Sequence, residues 1–391
     1  MHWTIPEPYV VPSVKPLRWS GWWRGFSLCI MALLLVGCGG YFWLKDPRLL
    51  LYTFGGVVLL ILVFAGIAGW VMYRYGVEAE HAEDISNLNR LTTLKWQDWA
   101  QRSVAVLGFH AFFPSAVLSP LNSDGPVNGD KPLLLPSFTG FNALFYDLLL
   151  PLLPELQWMV AAGIQVEASL PEGCDTDEWQ QFSAAWQTLG LPVSSLLLAP
   201  SVLNSYAKQI TRWLASPSTA AQLVMIHHRD AQQSTTEGAI VWLLTPQAGR
   251  APGLPVRCSL HRPMHTPHPA EPAALRRFLD YQPLTMGMNG LWTDAITREQ
   301  VDMLLIAHGQ RPQPDDSGTS TDEKKSAVPA PLPEQHYLPH WLGKTGPYHD
   351  WFTVTLMMQM ALAKPGVQCA MINDGGAALL SSVSTGAFSN D

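Results

Sequence analysis

Residues 193–214 read Val-Ser-Ser-Leu-Leu-Leu-Ala-Pro-Ser-Val-Leu-Asn-Ser-Tyr-Ala-Lys-Gln-Ile-Thr-Arg-Trp-Leu. A strand-like apolar run stops at Pro200, and a helical pattern follows from Asn204. Strand, break and helix in one short stretch is the repeating unit of a layered α/β domain. The same grammar recurs upstream. Residues 103–108 read as a buried strand bounded by Gly, and 141–156 have helical spacing broken by Pro151 and Pro154. Residues 157–170 read as a strand. Residues 178–189 form an amphipathic helix with Trp179, Phe182, Ala185, Trp186 and Leu189 on one face, a stripe that suits a core. Downstream, 222–227 and 239–244 read as strands and 273–279 as a helix. The element opening at 298–303 passes into a strand at 304–307. Residues 351–362 form an apolar helix, and 367–372 with 377–382 make a closing hairpin around Asn373-Asp374-Gly375-Gly376. The expected fold is therefore α/β, with a second half that repeats the logic of the first.

Ahead of this region lie two almost continuously apolar runs, 26–44 and 49–73, each long enough to cross a hydrocarbon core of about 30 Å as a helix. Lys45, Asp46, Pro47 and Arg48 separate them, which predicts a tight hairpin. Gly37, Gly39 and Gly40 on one run and Gly55, Gly56, Gly66 and Gly69 on the other would let the helices approach closely. Trp22, Trp23, Tyr41, Trp43, Trp70 and Tyr73 have the placement of interfacial belts. Lys15, Arg18, Arg24 and Arg74 outside the hairpin, against Lys45 and Arg48 in its turn, favour cytoplasmic chain ends. The domain reading is a cytoplasmic segment 1–25, a transmembrane hairpin 26–73, a polar helical stalk 74–101, and an α/β domain 102–385 in which 311–335 is a disordered insertion. A second reading of Leu35-Val36-Gly37-Cys38 is a bacterial lipoprotein box that lipidates Cys38; against it, a polar leader precedes the apolar run, which continues past Cys38.

The 391 residues carry a net charge of −7, 14% charged and 48% hydrophobic residues. That acidic balance, without a basic stripe, argues against a nucleic-acid partner. The five cysteines, Cys29, Cys38, Cys174, Cys258 and Cys369, show no metal-type pair spacing and suit a reducing compartment.

Three short stretches carry a family resemblance: Leu198-Ala199-Pro200-Ser201, Ile306-Ala307-His308-Gly309 and Leu342-Gly343-Lys344-Thr345-Gly346. In order and spacing they resemble the active-site motifs of β-ketoacyl synthases, in the thiolase superfamily. Glu237-Gly238-Ala239 resembles the Glu-Gly-Ala before a central strand of that family, and 103–108 its opening strand, which leads to Ser119-Pro120. The resemblance implies a thiolase-like layered αβαβα domain over about 102–385 and, by analogy with the family, a homodimer. It also implies an altered site. The family's nucleophilic Cys, activated at a helix N-terminus, corresponds here to Pro200, and its second His to Lys344; only His308 is retained. The expectation is a pseudoenzyme with degenerate positions Pro200, His308 and Lys344, with no catalytic, cofactor or metal residues, acting as a membrane-held binding or assembly protein for a protein partner. The alternative is a membrane-associated acyl-transfer or acyl-hydrolysing enzyme in which Ser201 or Lys344 works by a changed mechanism. The chain is also similar to accessory proteins of bacterial type VI secretion, including the lipase-adapter group, which implies an inner-membrane location.

His261, His265 and His268 lie in a Pro-broken stretch that gives no visible preorganisation for a metal, and His227-His228 at a strand end reads as surface or capping. His349-Asp350 opens the helix after Gly346. No Gly-x-Ser-x-Gly elbow accompanies it, so Asp350 reads as a helix N-terminal acid. Trp341, Tyr348 and Trp351 cluster near the third stretch and suit either a core or a protein-binding patch.

Overall fold

The computed structural model describes residues 3–114, 131–135, 140–171, 174, 176–198, 205–216, 218, 220–230, 232–246, 254–267, 269–310 and 331–385. Pro200, Ser201, Ser119-Pro120, His268 and the segment 311–330 lie outside the described residues. The chain divides into two compact units, Ile5–Lys95 and Met1–Thr4 with Trp96–Asp391.

The first unit holds α1 (Trp19–Leu44) and most of α2 (Arg48–Gln101). Their turn has a clear cause. Lys45 takes a left-handed conformation (φ 46°) and donates its N–H to the Tyr41 carbonyl, and the Asp46 carboxylate accepts the Arg48 N–H at 2.9 Å. The two helices then run back along each other. Phe26 stacks on Phe64 at 4.1 Å, and a Cβ at Gly37 would overlap the Thr53 side chain. The glycine is what permits the close approach. Both helices contain a stretch long and apolar enough to cross a membrane, and their side chains are almost wholly exposed. The residues read as a separate stalk continue α2 without a break, and from Trp96 onward the helix belongs to the second unit.

The second unit is built twice from the same pattern. The first half runs β1 (Ser103–Phe112), α3 (Phe141–Leu149), α4 (Leu153–Ala161), β2 (Val166–Ser169), α5 (Thr176–Thr188), β3 (Leu196–Leu198), α6 (Tyr206–Ala215), β4 (Ala221–His228) and β5 (Gly238–Pro246). The second runs β6 (Cys258–His261), β7 (Met264–Pro267), α7 (Pro272–Tyr281), β8 (Met288–Asp294), α8 (Arg298–Gly309), β9 (Glu334–Tyr337), α9 (Leu338–Leu342), α10 (His349–Ala363), β10 (Val367–Asp374) and β11 (Ala377–Thr385). The strands form one sheet in the order β3-β2-β4-β5-β1-β6-β11-β10-β8-β9, with β7 on β11. Matching β1 to β6, β2 to β8, β3 to β9, β4 to β10 and β5 to β11 gives the same order and directions in each half. Strands β2, β3 and β4 are mutually parallel and β5 and β1 alternate, as are β8, β9 and β10 with β11 and β6. The halves meet where β1 pairs antiparallel with β6.

Layers follow from burial. Helix α10 is apolar all round and buried on nearly every residue from Asp350 to Ala361, as a helix enclosed by protein must be. With α6 it shares one core with strands of both halves, including Val104, Ile226, Leu260 and Ile372. Trp242, Trp351 and Tyr206 tie these parts together, the two indoles 4.9 Å apart, and Trp242 Nε1 donates to Thr355 Oγ1 at 3.0 Å. Helices α3, α4 and α5 cover the other face of the first half, where Leu223, Met225, Val241 and Leu243 point. Helices α7 and α8 pack on each other outside the second half. The result is the layered α/β arrangement expected from the sequence.

Several expectations need correction. Residues 304–307 are not a strand but the middle of α8. Val301, Leu304, Leu305 and His308 are buried at helical spacing while Ile306 is 58% exposed, a pattern that a short apolar run conceals. Residues 157–161 finish α4, so the strand there is only Val166–Ser169. The stretch read as a histidine-bearing loop contains β6 and β7; His261 is buried in one, and His265 in the other faces Asp374 at 3.3 Å. The expected disordered insertion overlaps β9 at Glu334 and Gln335. The closing hairpin has its expected turn, with Gly375 and Gly376 at φ 58° and 96°, conformations that glycine adopts without strain.

His261 joins α2 to the sheet, with Nδ1 3.1 Å from the Gln101 carbonyl and Nε2 2.8 Å from Ser384 Oγ. Burial pushes its pKa down from 6.5 to about 4. The folded value lies below the unfolded one, so the contribution is complete above pH 6.5 and is lost as pH falls toward 4. Urea unfolding of the full chain should therefore show wild type losing about 3 kcal/mol more than His261→Gln between pH 7 and pH 4. Equal losses would contradict this.

Candidate functional site

Helices α6 and α10 begin beside each other in the second unit, and there one side chain bonds to both. Asp350, in the first turn of α10, is buried. Its Oδ2 accepts the N–H of Tyr206, the first residue of α6, at 2.9 Å, and its Oδ1 accepts the Trp351 N–H at 2.9 Å. First-turn N–H groups have no acceptor within their own helix, and both helix dipoles favour negative charge at this point. Burial nevertheless pushes the Asp350 carboxyl upward, with His349 and the two N–H groups pulling the other way.

The neighbours complete the site. His349 Nδ1 lies 3.2 Å from the Gly346 carbonyl, and Nε2 lies 3.3 Å from the Asn373 carbonyl and 3.9 Å from the Asp294 carboxylate. Both ring nitrogens face acceptors, so the ring is not presented to a hydroxyl as a base. Asp294 closes β8 and is itself pushed up by burial. Tyr206 is fully buried, bonds Ser381 through its hydroxyl at 3.0 Å, and holds its proton well above the usual phenol range because of burial.

The stretches singled out in the sequence distribute unequally around this centre. Lys344 is exposed in the turn before α10; its N–H donates to the Lys131 carbonyl and its own carbonyl accepts the Thr236 N–H at 2.7 Å. Glu237 of the Glu-Gly-Ala stretch works beside it as a strap, accepting the N–H groups of Leu135 and Asp230. His308 is elsewhere. It is 1% exposed in the last turn of α8. That helix leaves the carboxyl end of β8 near Asp294, joins it to the parallel β9 and so runs back about 18 Å along its 12 residues, which puts His308 toward the amino ends of these strands while His349 lies at their carboxyl ends. The Ala-His-Gly stretch is thus a helix end rather than a site turn. Pro200 and Ser201 precede α6 outside the described residues. The residue at the N-cap of α6 is Ser205, whose Oγ is buried and makes no hydrogen bond among the described residues. The sequence reading missed it, although a Ser directly before an apolar-periodic run is a helix-start signal.

No protein-family model matches the sequence, and no curated protein matches it. Solved structures do align. One is the ketosynthase of a type II polyketide synthase described with its acyl-carrier protein, at 12% identity, covering 73% of this chain and 99% of that one, with a TM-score of 0.43. Others are OleA of Xanthomonas campestris (9%, 74% and 98%, 0.39) and human mitochondrial 3-ketoacyl-CoA thiolase (8%, 74% and 99%, 0.37). At these identities a likeness concerns fold alone, and none of the three reaches a TM-score of 0.5. The duplicated strand order and the enclosed central helices make the second unit a duplicated, layered mixed α/β fold.

Removing the bridging carboxylate separates its two roles. Asp350→Ala leaves two buried N–H groups without their acceptor and should cost about 2–3 kcal/mol. A raised folded pKa means the native state holds a proton that the unfolded chain has released, so this group's contribution falls as pH rises through the window above the ordinary carboxylate value. Asp350→Asn should remove that component and flatten the stability profile above about pH 4. Unfolding midpoints across pH 4 to 7 check this; an unaltered slope would contradict it.

Proposed function

We propose that the chain is a non-catalytic, membrane-held binding or assembly protein of thiolase-like fold. The single observation that carries the reading is the bridge at Asp350. A thiolase-type reaction needs an unencumbered helix N-terminus that stabilises a nucleophile and developing negative charge. Here the N–H of the first α6 residue is already committed to the protein's own carboxylate. The place of His308, in the last turn of α8 toward the amino ends of the strands, supports the same reading.

Support for the anchor comes from the two exposed apolar helices, which suit a hairpin in a bilayer, and from the basic residues around them, which favour a cytoplasmic domain. On this reading the protein sits in a bacterial inner membrane and recruits a protein partner. An accessory or adapter role in type VI secretion is the specific form proposed, and a homodimer is compatible with it. A surface suited to docking is β3, an edge strand among the described residues, with Leu197 and Leu198 38% and 50% exposed there.

The second reading is an acyl-transferring or acyl-hydrolysing enzyme at the membrane. The observation in its favour is Ser205, a buried hydroxyl at the N-cap of a central helix. The test uses the full chain in its native membrane and then purified in detergent. The binding reading expects retention through an alkaline wash, chemical cross-linking to a protein partner that Leu198→Glu weakens at least tenfold, and no turnover of acyl thioesters above buffer. Thioester hydrolysis or transfer abolished by Ser205→Ala or Ser201→Ala would overturn it in favour of the enzyme.

A further inference from the structure

A second cluster lies at the carboxyl ends of the first half's parallel strands. Cys174 stands between β2 and α5, Glu178 in the first turn of α5, and His227 near the end of β4. Because β2 and β4 pair in parallel, the segment leaving β2 is brought beside the end of β4. Open α/β sheets commonly bind ligands at this edge.

The geometry is convergent. His227 Nε2 is 3.8 Å from Cys174 Sγ and 3.5 Å from Glu178 Oε2, and all three donor atoms lie within 4.8 Å of one another. A nucleophile–base–acid triad would use the two different imidazole nitrogens, one toward the thiol and one toward the acid. Here the same nitrogen meets both. A single Nε2 cannot accept a proton from the thiol and donate one to the carboxylate together. A cation placed among the three takes a lone pair from each. Tetrahedral zinc, with bonds of about 2.0–2.3 Å, sets its ligand atoms about 3.3–3.8 Å apart, which is the spacing observed for both pairs.

We propose that Cys174, Glu178 and His227 bind a divalent d¹⁰ metal ion, with zinc the fitting one, and leave a fourth position for water or an outside ligand. Thiolate, carboxylate and neutral imidazole match the borderline softness of zinc. Two negative ligands balance the ion's charge, so a half-buried site ends neutral. Burial holds the His227 imidazole toward its neutral, ligating form. The ring is positioned by Phe141 and Phe145, with centroids 4.9 and 5.8 Å away. The ion would pin the start of α5 to the end of β4.

The test is a titration of reduced, chelator-stripped full-length protein in detergent with Co²⁺, followed by Zn²⁺. The expected result is one equivalent of Co²⁺ giving tetrahedral visible bands and a thiolate-to-cobalt charge-transfer absorption, all displaced by Zn²⁺. Cys174→Ser should abolish the charge-transfer absorption. Glu178→Gln, which keeps the side chain's size in the first turn of α5, should weaken binding at least ~10-fold. Cys38→Ser should leave both signals unaltered. Absence of the absorption in wild type, its survival in Cys174→Ser, or wild-type affinity in Glu178→Gln would each overturn the site.

Discussion

The arrangement depends on one buried carboxylate shared by two helix N-termini. Helices α6 and α10 come from different halves of the chain, and both lie in the central layer. Each arrives with N–H groups that its own backbone cannot satisfy. Asp350 answers both with its two oxygens, one toward Tyr206 and one toward Trp351. The join adds to the β1–β6 pairing in holding the two halves together. The aromatic contacts among Tyr206, Trp242 and Trp351 begin one residue away and extend the same join into the core.

That solution has a functional consequence. In a duplicated α/β fold the place where the central helices start is where charge can be stabilised. Here the protein's own Asp350 side chain occupies it. The Lys344 turn is exposed and strapped by Thr236 and Glu237, and His308 is buried in the last turn of α8. The outer edge of the first half is different. There the chain gathers a thiol from the β2–α5 connection, a carboxylate from α5 and an imidazole from β4, the makings of a site of another kind.

Much of the fold was legible because its signals are local. The Gly375-Gly376 hairpin, the helix after Gly346 and the stripe of Phe182, Ala185 and Trp186 each announce themselves within a dozen residues. So does the turn at Lys45 and Asp46. Where signals conflict, tertiary burial decides. Residues 304–307 look like a strand until Val301 and His308 are seen to share their face. Strand β8 carries Asn289 and Gly290, the latter where a side chain would collide with Gln368, so its pattern is masked by a packing requirement. The site was less legible. Asp350 was readable as a helix-start acid, but its second partner lies 144 residues away. Cys174 and His227 are 53 residues apart and meet only through the parallel pairing of β2 and β4. Sequence spacing alone has no access to such pairs.

The bridge itself can be measured through amide hydrogen exchange resolved at single residues. First-turn N–H groups of a helix ordinarily exchange fast, because nothing within the helix accepts them. The account predicts that the amides of Tyr206 and Trp351 are protected to nearly the level of the core strands, and that Asp350→Ala exposes both together. Fast exchange at Tyr206 in the wild-type protein would mean that the carboxylate does not hold the two helices, and would contradict the account.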